Sequence, residues 1–232
     1  MYNALVFLLS IIPGGHVAVA VILLTILVKI ILLPLSKKMF LSQIAQRKIQ
    51  PLLKKIQEEY KDNRQLLGIK MLELYREHKL NPFSSILLLL IQIPIVFALY
   101  FVFSKGGLPQ INTADLYSFV SHAPEVQHVL FGIDFIKVSV FIGVLAFIFQ
   151  YIQIRLSLNH MEIKTEPGKQ LTQEEMIQKQ MSIIMKFFMP TLIFIASLNV
   201  SASVALYWIV SSIFMIIQEL YFRRKYKDQL VK

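Results

Sequence analysis

One charged side chain, Lys29, lies in the middle of a long apolar run. A charge at the centre of a membrane span costs about 2.5 to 3.5 kcal/mol on insertion scales, so such residues are usually functional. Eight residues separate Lys29 from Lys37, which is about 12 Å along a helix. A lysine stem spans only about half of that distance, so the ammonium would not reach the headgroups unless the bilayer thinned.

Thr25 lies one helical turn before Lys29 and shares its face. No Asp or Glu lies in the central part of another apolar stretch, so we expect water in a cavity to solvate the ammonium. A solvated cation at this depth could attract acidic or polar groups. The alternative is a lysine that snorkels from a tilted helix.

Other apolar stretches carry uncharged polar or amphipathic side chains at comparable depth. They are Gln92, Gln150, Gln153, Tyr207, Trp208 and Ser211. Gln150 and Gln153 are three residues apart and share a helix face, while Tyr207 and Ser211 follow a stripe with Trp208 on its flank. Each alone is typical of hydrogen bonding between membrane helices. Together with Lys29 they predict a polar interior.

Several kinds of chemistry are not expected. The sequence has no cysteine, which excludes disulfides, thiolate metal sites and a thiol nucleophile. Its five histidines are scattered without a His-x-x-x-His spacing. No nucleotide-binding motif is present. We therefore predict no metal, no cofactor and no enzymatic bond chemistry.

The composition is that of a membrane protein. Of 232 residues, 56% are hydrophobic and only 16% are charged, against about 25% charged in soluble domains. A bilayer core about 30 Å thick needs about 20 apolar residues per helix. Five stretches are long enough, and they are residues 16–35, 83–103, 135–156, 181–198 and 203–222.

Residues 1–15 contain a shorter apolar piece that ends at Pro13-Gly14-Gly15. We predict an interfacial segment on the outer face. A signal peptide is the competing interpretation, but the piece lacks a basic leader and a small-x-small cleavage site.

The five apolar stretches predict an all-α integral membrane protein. We expect its five spans to surround a groove, since five helices are few to seal a pore.

The net charge of +10 is distributed unevenly. Residues 36–82 carry 11 Lys and Arg, residues 155–186 carry 5, and the tail from residue 223 carries 5. The positive-inside rule then places the N-terminus outside and the C-terminus in the cytoplasm of a bacterial cell. Residues 104–134 become an external loop, and residues 157–180 and 223–232 become a cytoplasmic loop and tail. The basic residues favour anionic lipids, whereas no motif indicates sequence-specific nucleic-acid binding.

The segment 36–82 has apolar residues at mostly three- and four-residue steps, with a polar break near Asp62-Asn63. This spacing predicts two antiparallel amphipathic helices that form a cytoplasmic hairpin, closed by Asn81-Pro82.

Short motifs spread over nearly the whole chain occur together. They are the run from Ile22 to Ser36 with Lys29, Ile49-Gln50-Pro51, Tyr60-Lys61, Asn81-Pro82-Phe83, Gln92-Ile93-Pro94-Ile95, Met189-Pro190 with Asn199, and Leu206 to Ser211. Together they resemble the YidC/Oxa family of membrane protein insertases, whose first core helix has a basic residue, usually Arg, at the position of Lys29.

The resemblance implies a hydrophilic groove that is open to the cytoplasm and the lipid and closed on the outside. It implies insertion of nascent membrane proteins, alone or with the Sec translocon, and with the ribosome as a further partner. Lys29 would be the groove cation. The other candidate groove residues would be Thr25, Gln92, Gln150, Gln153, Tyr207, Trp208 and Ser211.

Three features depart from the family pattern. Lys29 provides a point charge and cannot form the bidentate pair that Arg forms. We expect no large external domain before the core, and the sequence has no cysteine for lipidation. The tail after Phe222 is ten residues long, which weakens the expectation of extended ribosome binding.

Two other functions fit the same polar interior. A small secondary transporter or channel subunit would use Lys29 to bind an anionic solute, but the two halves show no internal repeat of the kind common in transporters. A structural subunit of a larger complex would insert nothing by itself.

Overall fold

The computed structural model describes residues 1–81, 84–104, 108, 111–112, 116–118, 120, 125–158 and 173–227. Helices and strands follow in chain order as α1 (Tyr2–Ile11), α2 (Val17–Lys48), α3 (Gln50–Glu59), α4 (Arg64–Glu77), α5 (Ser84–Ser104), β1 (Val129–Leu130), β2 (Ile133–Asp134), α6 (Val140–Leu158), α7 (Gln173–Ser197) and α8 (Ala202–Lys225). The chain divides into two units. The first is Met1–Ile31 with Ile95–Leu220, and the second is Leu32–Pro94 with Tyr221–Lys232.

Three helices, α2, α6 and α8, are long and apolar enough to cross a membrane. They contain most of the predicted spans 16–35, 135–156 and 203–222. The predicted spans 83–103 and 181–198 fall on α5 and α7, whose described apolar stretches are the shorter segments Leu90–Phe103 and Ile183–Ser197. The prediction of a helical membrane protein is therefore confirmed, whereas the number of five spans stays a prediction.

Helix α2 is longer than the span predicted within it. It continues through Pro34 to Lys48, so residue 35 does not coincide with a helix end. Proline lacks the N–H that would bond four residues back, yet the helix persists on both sides. Ile30 and Ile31 are more than half exposed, as expected for side chains that face acyl chains.

The first unit has an apolar core that contains α1. Leu5 and Leu9 of α1 are almost fully buried and pack with Val17 and Val21 of α2 and with Ala205 of α8. The apolar piece within residues 1–15 is thus an integral part of this core. Whether it also lies at the membrane interface stays a prediction.

Helices α6 and α7 pack against each other in the first unit. Gly143 of α6 lies so close to the Ser197 hydroxyl of α7 that a Cβ at position 143 would overlap it. Glycine thus sets the distance between the two helices at this point.

A short hairpin of β1 and β2 lies in the segment predicted as the external loop. Its base is hydrogen-bonded to the first residues of two helices: Val17 N donates to Gln127 O at 3.0 Å, and Ala202 N donates to Lys137 O at 2.7 Å. Ser203 donates to Phe135 O through both N and Oγ. These bonds bring the N-terminal ends of α2 and α8 to the base of the hairpin, and α6 begins three positions after Lys137.

The second unit contains α3 and α4, which pack against each other and are joined by a turn over residues 60–63. Asn63 caps α4, because its Oδ1 accepts from Leu66 N at 3.1 Å. The break lies where the sequence predicts it, near Asp62-Asn63. The first helix of the predicted hairpin is divided, however, since α2 runs to Lys48 and α3 begins at Gln50.

In the same unit Phe40 of α2 packs on Phe222 of α8, with ring centroids 5.3 Å apart. Ile44 completes this small buried cluster. Pro82, predicted to close the hairpin, and most of the predicted loop 157–180 lie outside the described residues.

Candidate functional site

Lys29 is buried in the first unit, with only 9% of its surface exposed. Its Nζ lies 3.8 Å from Met215 Sδ on α8. A thioether sulfur is a weak, uncharged acceptor. The side chain therefore packs between α2 and α8, and does not project from the surface of α2.

Thr25 lies one turn before Lys29 on α2, and Ser211 lies one turn before Met215 on α8. The buried Thr25 hydroxyl donates to Val21 O of its own helix at 2.6 Å. The buried Ser211 hydroxyl has no hydrogen-bond partner within the described part of the chain. A buried hydroxyl in that state is a place where an ordered water can bind.

A second polar group joins α6 to α8. Ser212 Oγ donates to Gln150 Oε1 at 2.8 Å, and Gln150 Nε2 lies 3.4 Å from Gln153 Oε1. Gln153 and Ser212 are buried, and Gln150 is half-buried. This contact agrees with the prediction that Gln150 and Gln153 share a helix face, and both amides belong to the group of polar side chains between α6 and α8.

Both groups lie at similar depth. Lys29 follows the first residue of α2 by twelve positions, about 18 Å along the helix. Gln150 and Ser212 each follow the first residue of their helices by ten positions, about 15 Å. The first turns of α2 and α8 are bonded to the base of the hairpin, and α6 begins three positions after Lys137, so these side chains lie at similar distances from that end of their helices. We call Lys29, Gln150 and Ser212, with their polar neighbours, the polar layer.

The other predicted residues have different surroundings. Tyr207 is 1% exposed and belongs to the apolar core. Trp208 lines a cavity of about 230 Å³. The lining is otherwise Val96, Phe97, Tyr100, Ala196, Val200 and Val204. Trp208 thus faces an apolar cavity, while Lys29 and the amides form the polar layer.

Gln92 is half-buried in α5, two residues before Pro94, in the part of that helix that belongs to the second unit. Its role in a groove stays a prediction.

Sequence reasoning missed Ser212 and Met215. The stripe through Tyr207 selected Ser211, whereas the adjacent Ser212 is the residue that bonds the α6 amide. A second helical stripe of α8, the one that contains Ser212, could have indicated this residue from the sequence. Met215, one turn after Ser211, carries no polar mark that would have singled it out.

The arrangement brings a buried lysine amine, amides and hydroxyls into the interior of the first unit, where they can form hydrogen bonds. Within the described residues, no three His, Asp or Glu side chains come close enough together to hold a metal ion.

These features define a helical integral membrane protein with several apolar helices and a polar layer in its interior. Comparison with known proteins gives the family. The family model described as 60Kd inner membrane protein matches residues 8–229. The membrane protein insertase YidC of Fusobacterium nucleatum subsp. nucleatum is 31% identical over 211 residues, which cover 91% of this chain and 88% of that protein.

The YidC of Francisella tularensis subsp. novicida is 52% identical over 88 residues, which cover 38% of this chain and 16% of that longer protein. The chain belongs to the YidC/Oxa family of membrane protein insertases, as its motifs predict. It is accordingly a multi-pass protein of the inner membrane.

Proposed function

We propose that the protein inserts membrane proteins by moving a short polar segment of the substrate through a hydrophilic groove that contains Lys29. Family membership supports insertion as the activity. The polar layer supports the proposal of a groove, because the buried Lys29 amine lies at nearly the same depth as the Gln150 and Ser212 side chains.

The groove shortens the distance over which the polar segment must cross hydrocarbon without water. A polar segment loses the hydration of its backbone and charges when it enters hydrocarbon, which is costly for every group. Lys29 lies about 18 Å from the N-terminal end of α2, so a wet groove that reaches it from the cytoplasm removes about 12 Å of a 30 Å core. The substrate segment then crosses only the outer part without water.

Lys29 provides a temporary binding site for acidic groups of that segment. At an effective dielectric constant near 20 and a distance of about 4 Å, the attraction is about 4 kcal/mol before desolvation is subtracted. This is enough to capture the segment without trapping it. A potential that is negative inside adds about 2.3 kcal/mol per 100 mV for each anion moved fully outward.

The apolar helix of the substrate leaves sideways into lipid. This requires a groove bounded by five spans and open to the bilayer, with α5 and α7 as the second and fourth spans. The N-terminus then lies outside and the basic segment 36–82 lies in the cytoplasm, where anionic lipids, the ribosome and the Sec translocon are the proposed partners.

The test is reconstitution of the full chain, without Sec or ribosomes, in vesicles with a single-span substrate that has an acidic N-terminal tail. Protease protection of the tail measures insertion. We expect Lys29→Met, which keeps the apolar stem and removes the charge, to reduce insertion about tenfold or more, corresponding to a loss of about 1.4 kcal/mol. Lys29→Arg should retain most of the activity.

Two controls separate the charge from other effects. Lys38→Met removes an exposed lysine from the same helix, outside the polar layer, and should insert normally. A substrate with a neutral tail should respond less to Lys29→Met than the acidic one. Normal insertion of the acidic substrate by Lys29→Met would contradict capture by charge. Flux of small anions through the wild-type chain without insertion would favour a transporter.

A further inference from the structure

The tip of the β1–β2 hairpin carries an aromatic side chain that the surrounding protein does not cover. Phe131 is 94% exposed. The strands pair with Leu130 opposite Ile133, so Phe131 and Gly132 form the two-residue turn between them. Phe131 is therefore held away from the core of the first unit.

The backbone at this tip is also unfavourable for phenylalanine. Phe131 has φ +52° and Gly132 has φ +76°. Positive φ at both central residues is typical of a type I′ hairpin turn, whose usual pair is Asn-Gly or Gly-Gly. A bulky aromatic residue in this left-handed conformation is uncommon and strained. The sequence thus keeps a strained and exposed phenylalanine where asparagine would make a better turn.

The base of the hairpin fixes the depth of the tip. Phe135 O accepts from Ser203 N in the first turn of α8 at 2.9 Å. Gly132 is three positions and Phe131 is four positions before Phe135, so the tip lies within about 13 Å of that level. The headgroup region of one leaflet is about 5 to 8 Å thick. The aromatic ring is therefore within reach of the interface at this end of the helices.

Lipid-facing surface continues from the hairpin into α6. Val138, Val140 and Phe141 are each half exposed or more, and α6 is one of the helices apolar enough to span a membrane. Lys137, next to them, has a highly exposed side chain. A phenylalanine ring with apolar side chains and a lysine nearby is typical of surfaces that bury their apolar side at the boundary between headgroups and acyl chains.

We infer that Phe131 inserts into the lipid interface of the leaflet at the N-terminal ends of α2, α6 and α8, which is the outer leaflet in the proposed orientation. The partner is phospholipid at the boundary between headgroups and acyl chains. The hairpin base holds the ring there, and binding to lipid compensates for the unfavourable backbone of the turn.

Tryptophan fluorescence tests this inference in the full chain. The chain has a single tryptophan, so Phe131→Trp in a Trp208→Phe background reports on the tip alone. Two variants in the same background provide references. Phe141→Trp gives a lipid-facing position on α6, and Asp62→Trp gives an exposed position in the turn between α3 and α4.

Each variant is reconstituted in vesicles of phosphatidylethanolamine and phosphatidylglycerol. Phospholipids brominated near the top of the acyl chains should quench Trp at position 131 to a degree similar to position 141. Iodide on both sides of the bilayer should quench it several-fold less than position 62. Strong iodide quenching without bromine quenching would overturn the inference, because the tip would lie in water.

Protection from both quenchers would equally overturn it, because the tip would then be covered by protein. If the tryptophan variant does not fold, Phe131→Cys labelled with an environment-sensitive fluorophore gives the same readout, since the chain has no other cysteine.

Discussion

The carboxylate of Asp134 holds the base of the hairpin together. Its Oδ1 lies 2.9 Å from His128 Nδ1 and accepts from Ile136 N at 3.1 Å, and its Oδ2 lies 3.3 Å from Lys137 Nζ. Desolvation alone would raise the pKa of Asp134. The hydrogen bonds from His128, Ile136 and Lys137 outweigh it and lower the pKa below its ordinary value.

A pH-dependent stability follows from this lowered pKa. A carboxyl whose pKa is lower in the folded state stabilises the fold above its unfolded pKa, about 3.9, and loses that contribution as the pH falls through the folded value. We expect Asp134→Asn to lower the Tm of the purified chain at neutral pH. The difference from wild type should shrink below about pH 4.

Thermal unfolding in detergent from neutral to acidic pH measures this difference. The exposed Asp62, in the turn between α3 and α4, provides the matched control, and Asp62→Asn should leave Tm nearly unchanged throughout. A Tm difference for Asp134→Asn that stays constant down to the lowest pH would contradict the assignment.

At the scale of helices, the distance between α6 and α7 depends on the missing side chain of Gly143. A Cβ there would overlap Ser197 Oγ, while Ser197 Cβ would remain at 3.4 Å, an ordinary contact. Gly143→Ala should therefore destabilise the protein by about 1 to 3 kcal/mol through overpacking. Ser197→Ala in the same chain should restore most of the loss.

Gly68 of α4 is the matched control for this experiment. Nothing lies within 4 Å of a Cβ built at this position. Gly68→Ala should stabilise the helix by about 0.5 to 1 kcal/mol, because alanine loses less backbone freedom on folding. Urea or thermal unfolding of the three variants measures the effect. Equal destabilisation by both glycine substitutions, or no rescue by Ser197→Ala, would show that the overlap is not the cause.

The elements differ in how well the sequence predicts them, for physical reasons. Long apolar runs predict α2, α6 and α8, and a polar break predicts the turn before α4, because both depend on local composition. The end of α2 is not predicted, since Pro34 suggests a stop that the helix does not make. The β1–β2 hairpin is missed because Phe131-Gly132 is not a usual turn pair, and its position depends on distant bonds to α2 and α8.

The sequence predicts some of the side-chain positions in the polar layer and not others. A lysine inside an apolar run is a strong local signal, and Lys29 is indeed buried. The three-residue spacing of Gln150 and Gln153 predicts a shared face, and the two side chains lie next to each other. The choice between Ser211 and Ser212 depends on how α8 is rotated against α6, which periodicity within one helix does not determine.

At the scale of the whole molecule, the charge distribution makes a prediction about orientation in the membrane. The cations concentrate in residues 36–82, in residues 155–186 and at the C-terminus, while few lie in the segments assigned to the outside. The positive-inside rule therefore predicts that α1 is external and that α3 and α4 are cytoplasmic. In this orientation Lys29 lies closer to the cytoplasmic face than to the outer face, so the proposed groove reaches it from the cytoplasm by the shorter path.

Cysteine labelling tests this orientation without removing native cysteines, since the chain has none. Ser10→Cys at the end of α1 and Asp62→Cys in the turn between α3 and α4 both replace exposed residues. In intact bacteria with a permeable outer envelope, a membrane-impermeant maleimide should label Ser10→Cys and not Asp62→Cys. After the inner membrane is opened with detergent, both should label equally. Labelling of Asp62→Cys in intact cells would place the basic segment outside, and the proposed entry of substrate from the cytoplasm would then be wrong.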